Sequence, residues 1–387
     1  VNPLFANVPT SIFERMSALA REHDAVNLGQ GFPDFGWPDD VVAHAADALT
    51  GASSQYPPMR GLPELRQAVA DHYRRHQGLD VAAGEVTVTS GATEALAAAL
   101  MALIEPGDEV VLFQPLYDAY VPIVRRAGGV PKFVRLTPPG WRITAEALGE
   151  AFSAKTRLVL FNNPHNPTAR VFDAEELRLL ADACLAYGAI ALSDEVWEHV
   201  VFDGLRHVPL AAMPGMRERT VKIGSAGKIF SLTGWKVGWI VAPEALGVPI
   251  SKAHQFIAFA TPPNLQAAVA YGLGKEDLYF DAMRASFQQA RDAMAAALGE
   301  AGFAVLPAQG TYFLSLDLAA SGIAAGDVAF CERAVREAGV AAIPISPFYE
   351  DEPVTSVVRL CFAKQPATLA AGAAGLSRAR SLALTRS

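Results

Sequence analysis

Between Glu85 and Lys228 one pattern recurs: a short aliphatic and β-branched run ends at once in a polar or glycine-bearing motif. Glu85–Thr89 meets Ser90-Gly91-Ala92-Thr93, and Glu109–Phe113 meets Gln114-Pro115-Leu116-Tyr117-Asp118. Arg157–Phe161 meets Asn162-Asn163-Pro164-His165-Asn166-Pro167, Ile190–Leu192 meets Ser193-Asp194-Glu195-Val196-Trp197, and Thr220–Ile223 leads into Ser225-Ala226-Gly227-Lys228. Val130–Leu136 is a further strand-like run. One helical stretch opens at Ser90-Gly91 and runs to Ile104; another has Asp173 as N-cap, Glu176 at the capping-box position and Gly188 as its stop. Alternating strands and helices predict a parallel sheet covered on both faces. In open sheets of this kind ligands bind in the crevice beyond the carboxyl ends of the strands. Strands that each run straight into such a motif therefore predict one composite site along that edge.

The 387 residues exceed what one core usually holds, and 51% hydrophobic residues supply enough material for two. Residues 1–40 read as an arm and loop with two proline-containing turns, residues 41–280 as a large α/β domain, and residues 281–387 as a smaller α+β domain. In the last of these, Ala-rich helices are interrupted by the strand-like pieces Thr311–Leu316 and Val357–Phe362. A formal net charge of −8 argues against a nucleic-acid partner, which needs clustered Lys and Arg. The one basic cluster, Arg378, Arg380 and Arg386, reads as a solvated helix end. Cys184, Cys331 and Cys361 are odd in number and lack CxxC spacing, so neither a disulfide framework nor a zinc site is expected. A reducing cytoplasm fits this usage, and neither a leader-like segment nor a membrane span is apparent.

Chemistry concentrates at Lys228. An amine attacks a carbonyl only when it is not held as a solvated ammonium, so a working lysine needs a desolvated pocket or a cationic neighbour. Lys228 follows Ala226 and Gly227 and precedes Ile229 and Phe230, and Lys236 lies eight residues on. Ser225 and Lys236 offer a hydroxyl and a charge to one phosphate. Gly91, Ala92 and Thr93, at the start of a helix, offer unpaired N–H groups to the same anion. Arg359 stands inside the apolar run Val357–Phe362, where a charge needs an anionic partner, either an internal carboxylate or a ligand.

The string from Ser225 to Trp239 resembles the cofactor-lysine signature of the class I and II aminotransferases, most closely the kynurenine/glutamine/methionine aminotransferase-like branch. The likeness covers nearly the whole chain. It implies fold type I, an α/β large domain with a mostly parallel sheet plus a smaller α+β domain onto which the N-terminal arm packs. It also implies pyridoxal 5'-phosphate (PLP) held as a Schiff base on Lys228. Asp194 then fits the carboxylate that keeps the ring nitrogen protonated, so that the ring withdraws electrons. Tyr117 matches the aromatic residue stacked on the ring, and Asn166 the asparagine at the ring oxygen and the substrate carboxylate. His165 beside it reads as a solvent-side loop residue. Arg359 becomes the bidentate clamp on the substrate α-carboxylate. Gly31, in Asn27-Leu28-Gly29-Gln30-Gly31-Phe32-Pro33, matches the loop glycine against that carboxylate, and Phe13 an aromatic wall of the pocket. Tyr56 matches a tyrosine that crosses a homodimer interface to the partner's cofactor phosphate. Phe13, Phe259 and Phe348 point to an apolar substrate pocket.

The chain departs from the family at two places. The motif at Asp194 usually reads Asp-Glu-Val-Tyr, its tyrosine reaching the cofactor ring oxygen, whereas this chain has Trp197. Ala260 follows Phe259 where some kynurenine-active relatives carry histidine, which argues against kynurenine. The expectation is a homodimeric PLP aminotransferase moving the amino group of a neutral or aromatic L-amino acid to a 2-oxo acid. The alternatives are a cysteine-S-conjugate β-lyase, an N-succinyldiaminopimelate aminotransferase, and a PLP-binding regulator without turnover, for which no DNA-reading motif is present. A nicotinamide dehydrogenase is disfavoured because no Gly-x-Gly-x-x-Gly opens the first helix after a strand.

Overall fold

The computed structural model describes residues 1–385, so Arg386 of the basic tail lies outside the described residues. Its centre is a seven-stranded sheet. From edge to edge the strands are Val86–Thr89, Gly238–Val241, Thr220–Ser225, Ile190–Asp194, Thr156–Asn162, Glu109–Gln114 and Val130–Arg135. The runs from Glu109, Val130, Thr156, Ile190 and Thr220 form the expected parallel ladders, with Asn162 opposite Asp194 and Asp194 opposite Ile223, whereas Val86–Thr89 pairs, among the described residues, only with Gly238–Val241. Their polar ends are thereby brought to one edge. Gly238–Val241 is antiparallel to both neighbours and was not expected as a strand. Its short run begins inside the lysine signature, leaving no room for a crossover helix before it, and antiparallel pairing needs none.

Helices cover the sheet. The helix Ala174–Tyr187 has both capping-box bonds between Asp173 and Glu176, and it ends at Gly188 with φ 69°. The helix Gly91–Leu103 buries most of one flank against the sheet, which its small Ala-rich side chains permit.

The amino-terminal residues are not the loop that was expected. They form helices Pro3–Asn7 and Ile12–Glu22, the second capped by the Ser11 hydroxyl. Ile12, Met16 and Ala20 recur at every fourth position and are buried, a helical stripe that the neighbouring prolines obscured. Val26–Asn27 pairs in parallel with Val340–Ala341, and the Cys361 N–H donates to the Leu28 carbonyl at 2.7 Å. These bonds fasten the segment carrying Gly29 and Gly31 to the carboxyl-terminal part of the chain.

That part holds a second, four-stranded sheet in the order Ile343–Pro344, Val357–Cys361, Phe313–Asp317, Ala304–Val305. Arg359 lies directly across from Ser315 and from Ile343, at the middle of its strand. The long helix Asp277–Glu300 packs on this sheet at Ala304–Val305, and Pro366–Leu384 packs on that helix and on the paired segments Val26–Asn27 and Val340–Ala341. The tail arginines that are described do not end in solvent: Arg378 donates to the Ala338 carbonyl and Arg380 to that of Ser321. No helix among the described residues is long and apolar enough to cross a membrane.

Candidate active site

A cleft of about 300 Å³ opens at the carboxyl edge of the large sheet and is closed on its far side by Arg359 and Phe313 of the smaller one. Thirteen of the sequence-derived candidates line it: Gly91, Ala92, Thr93, Tyr117, Asn166, Asp194, Trp197, Ser225, Lys228 and Lys236 from the large-sheet side, with Phe13, Gly31 and Arg359 opposite. Phe348, Phe259 and Tyr56 do not line it within one chain. Phe348 stands behind Phe13, with ring centroids 5.4 Å apart. Tyr56 and Phe259 touch each other edge to face at 5.5 Å on the surface.

Local backbone shapes the anion end of the cleft. Ser90 makes no side-chain cap, and Gly91 takes φ +75°, leaving the first N–H groups of the helix uncapped. A Cβ on Gly91 would lie 3.3 Å from the Lys236 Nζ, and one on Gly238 would lie 3.0 Å from the Ala92 nitrogen. Glycine at both places lets strand and lysine close on the helix start. Lys236 itself is held at φ 54°, an unusual conformation for a lysine that aims its side chain back towards Gly91.

Lys228 is half-buried at the cleft, and desolvation lowers its pKa to about 8, against the raising influence of Cys361 and Asp194; Arg359 and Lys236 push it down further. Its Nζ donates to the Tyr312 hydroxyl at 3.2 Å and lies 4.7 Å from the Trp197 ring centroid. Asp194 is buried, and burial raises its carboxyl pKa, opposed by the Tyr120 hydroxyl, the Val196 N–H and the charge of Lys228. Tyr120 donates to Asp194 Oδ2 at 2.6 Å.

Arg359 is 1% exposed, and burial lowers its pKa to about 10. It donates to Asn166 Oδ1 and to the Gly29 carbonyl, both at 3.0 Å, and stacks 3.9 Å from the Phe313 ring centroid. Its Nε is buried without a partner, and no carboxylate among the described residues pairs with it. The internal salt bridge left open by the sequence is thus absent from the described residues. Such a cation calls for an anionic ligand.

His165 is not on the solvent side. It is buried, its Nδ1 is 2.8 Å from the Thr168 hydroxyl, and burial pushes its pKa down to about 3. Trp197 is buried edge to face on Tyr312, at 4.3 Å and 90°, and gives Lys228 a ring face.

Sequence reasoning missed Tyr120, Tyr312 and a charged network under the cleft. Tyr120 was discoverable, three residues after Tyr117 across a turn closed by the Tyr120 N–H on the Tyr117 carbonyl at 3.1 Å, which brings the two rings together. The network has Lys222 bonded to both Glu195 and Glu198, with His207 on Glu195 at 2.7 Å and Tyr73 on Glu198 at 3.2 Å. Burial alone would raise Glu195, but Lys222 and His207 reverse the sign and hold it at about 2.

The family model for aminotransferases of class I and II matches residues 23–376. The chain belongs to that family. This aminotransferase is 45% identical over 342 residues to a probable N-succinyldiaminopimelate aminotransferase of Mycobacterium tuberculosis, covering 88% of this chain and 86% of the relative. It is 42% identical over 365 residues to the methionine aminotransferase of Escherichia coli, covering 94% of each. A solved structure of the M. tuberculosis N-succinyldiaminopimelate aminotransferase superposes with a TM-score of 0.95 at 43% identity, over 98% of this chain and 100% of that one. The fold is therefore fold type I, and the protein is a transaminase that takes an amino acid and a 2-oxo acid.

Members of this family use PLP, and the cleft fits that group. The uncapped helix start with Ser225 and Lys236 suits its phosphate, Asp194 its ring nitrogen, Tyr117 its ring face, and the Lys228 amine, its pKa lowered by desolvation, its aldehyde.

Proposed function

We propose that this aminotransferase takes its amino group from a neutral, largely apolar L-amino acid of the methionine, glutamine or phenylalanine kind, using Lys228 as the cofactor lysine. The observation that carries the reading is the buried, carboxylate-free guanidinium of Arg359 beneath a wall of Phe13, Phe32 and Phe313. Lys228, Lys236 and Arg359 are the cations lining the cleft. With the first two committed to the cofactor and the third to the α-carboxylate, none remains for an acidic side chain. The methionine specificity named for the E. coli relative agrees with this chemistry.

When bound, PLP supplies an aldehyde that takes up the amino group and a ring that draws electrons from the α-carbon. Arg359 and Asn166 hold the carboxylate and so fix which face of the α-carbon meets Lys228. The Lys228 amine, with a pKa near 8, accepts a proton from the α-carbon and returns one during the transfer. Asp194 keeps the proton on the ring nitrogen, and Tyr117 holds the ring plane.

A panel of amino donors against several 2-oxo acids tests the substrate. Methionine, glutamine and phenylalanine should outrun aspartate and glutamate; a strict preference for N-succinyldiaminopimelate or for a dicarboxylic donor contradicts the reading. The name of the M. tuberculosis relative is what favours the succinylated donor as the second possibility. A cysteine S-conjugate included in the panel separates amino transfer from β-elimination, which releases pyruvate and a free thiol.

The active unit proposed is a homodimer with shared sites. Tyr56 and Phe256 are 86% and 84% exposed, and the Tyr56 ring leads through Phe259 to Ile257 and Phe256, an apolar patch of the kind a second copy covers. Mixing inactive Lys228→Ala with inactive Tyr56→Asp subunits should restore part of the activity in the heterodimer. No recovery after verified subunit exchange would exclude a contribution of Tyr56 across the interface. The proposed division places the large domain at 41–280 and the small domain at 281–387 with the amino-terminal arm. The free, buried state of Cys184, Cys331 and Cys361 supports a cytoplasmic setting.

A further inference from the structure

We infer that Tyr312 is a positioning residue for Lys228, its hydroxyl accepting one N–H of the amine while donating its own proton to the carbonyl of Gly31. The inference rests on the reading of Lys228 as the cofactor lysine.

The hydrogen-bond roles follow from counting protons. Tyr312 lies 2.7 Å from the Gly31 carbonyl, which can only accept, and 3.2 Å from Lys228 Nζ. The hydroxyl has one proton, and the carbonyl takes it, so towards Lys228 the oxygen must accept. A hydroxyl that donates is a stronger acceptor for its other neighbour. The ring cannot swing away: it is fully buried, edge on to Trp197 at 4.3 Å and 5.2 Å from Phe313. Burial drives the phenol well above its ordinary pKa, so it stays neutral and offers an oxygen without a competing charge.

Position 197 makes this contact consequential. Trp197 presents a ring face to Lys228, and an indole carries no acceptor atom. The charged or titratable groups that act on Lys228 are Cys361, Asp194, Arg359 and Lys236. None of these makes a hydrogen bond to Nζ; Tyr312 does. Because Gly31 belongs to the loop lining the cleft, the same bond ties the amine's position to that loop.

A titration of the amine separates this role from simple packing. In the apoprotein, Lys228 is acetylated with a trace of acetic anhydride across a pH series, and its peptide is quantified by mass spectrometry. The parent should show a midpoint near 8. Tyr312→Phe keeps the ring in place and removes both bonds of the hydroxyl, the one accepted from Lys228 and the one donated to the Gly31 carbonyl; only the first acts directly on the ammonium form. Losing a hydrogen bond to the charged form lowers the midpoint by about one pH unit, so labelling below both midpoints is about tenfold faster. A loosened pocket would relieve the burial of Lys228 and move the midpoint the other way, towards 10.5. In the holoenzyme the same variant should lose kcat by more than it raises the donor KM, since Arg359 and Asn166 are untouched and only the Gly31 loop is released.

A midpoint that stays or rises overturns the inference. If Tyr312→Phe does not fold, a fluorinated tyrosine at 312, a weaker acceptor, should give a smaller shift of the same sign. Reducing the holoenzyme variant with borohydride keeps the two claims apart. Cofactor fixed on Lys228 with an unmoved midpoint defeats the role of Tyr312 alone; cofactor fixed elsewhere defeats the underlying reading whatever the titration shows.

Discussion

Asp194→Asn retains PLP and loses turnover by about 10- to 1000-fold. The estimate follows from the charge alone: an opposite charge at contact distance shifts a neighbour's pKa by roughly 1–3 units, and each unit is a factor of ten in the protonated form. Asn is nearly isosteric and still accepts from Tyr120, so the bond that now holds Asp194 Oδ2 at 2.6 Å persists. What is lost is the negative charge proposed to face the ring nitrogen. Asp194 is well suited to this task because its site is buried and raises its carboxyl pKa, so an arriving ring cation is stabilised without competition from water. The check is steady-state turnover with cofactor occupancy measured on the same sample by visible absorbance. Turnover near that of the parent at full occupancy would remove Asp194 from the mechanism.

Lys222→Met destabilises the fold by about 3–5 kcal/mol, the cost of leaving buried charge uncompensated. Lys222 is buried between Glu195 and Glu198, and its pKa is raised despite burial because both carboxylates favour the ammonium. Methionine fills similar volume, so the loss measures charge rather than a cavity. The network braces the strand end that carries Asp194, since Glu195 follows it directly and also accepts from the Ser193 hydroxyl and the Leu210 N–H. Its pH dependence has a defined sign. Glu195 is held at about 2 against an ordinary 4.5, so its contribution is complete above 4.5 and fades as pH falls towards 2. Urea unfolding of both proteins at one fixed concentration, at neutral and at acid pH, reads both effects. Equal midpoints at neutral pH would mean the cluster contributes no net stability as an ion pair.

What the sequence made legible, and what it hid, divides along chain distance. The large sheet was readable because each parallel strand is a local apolar run with its functional residue at the next position, as at Leu192-Ser193-Asp194. The helix Ala174–Tyr187 was readable because Asp173, Glu176 and Gly188 act within a few residues of its ends. Arg359 was conspicuous as a charge in an apolar strand. Tyr312 was not, because its partners Lys228 and Gly31 are 84 and 281 positions away and nothing near it in sequence implies either. The same holds for Lys222, whose alternation in Thr220–Ser225 fits an exposed face as well as a buried pair. His165 was misplaced because a Pro-rich motif reads as surface, whereas strand ends here turn inward to form the cleft. Gly238–Val241 was hidden by brevity: four apolar residues carry no period of their own.

The central claim is that the amine of Lys228 carries the cofactor. Borohydride reduction of the yellow holoenzyme, followed by digestion and mass spectrometry, tests it in one step. The reduced pyridoxyl group should be found on the peptide containing Lys228 and be absent from that peptide in Lys228→Ala. Recovery of the label on Lys236, the other lysine lining the cleft, would contradict the account.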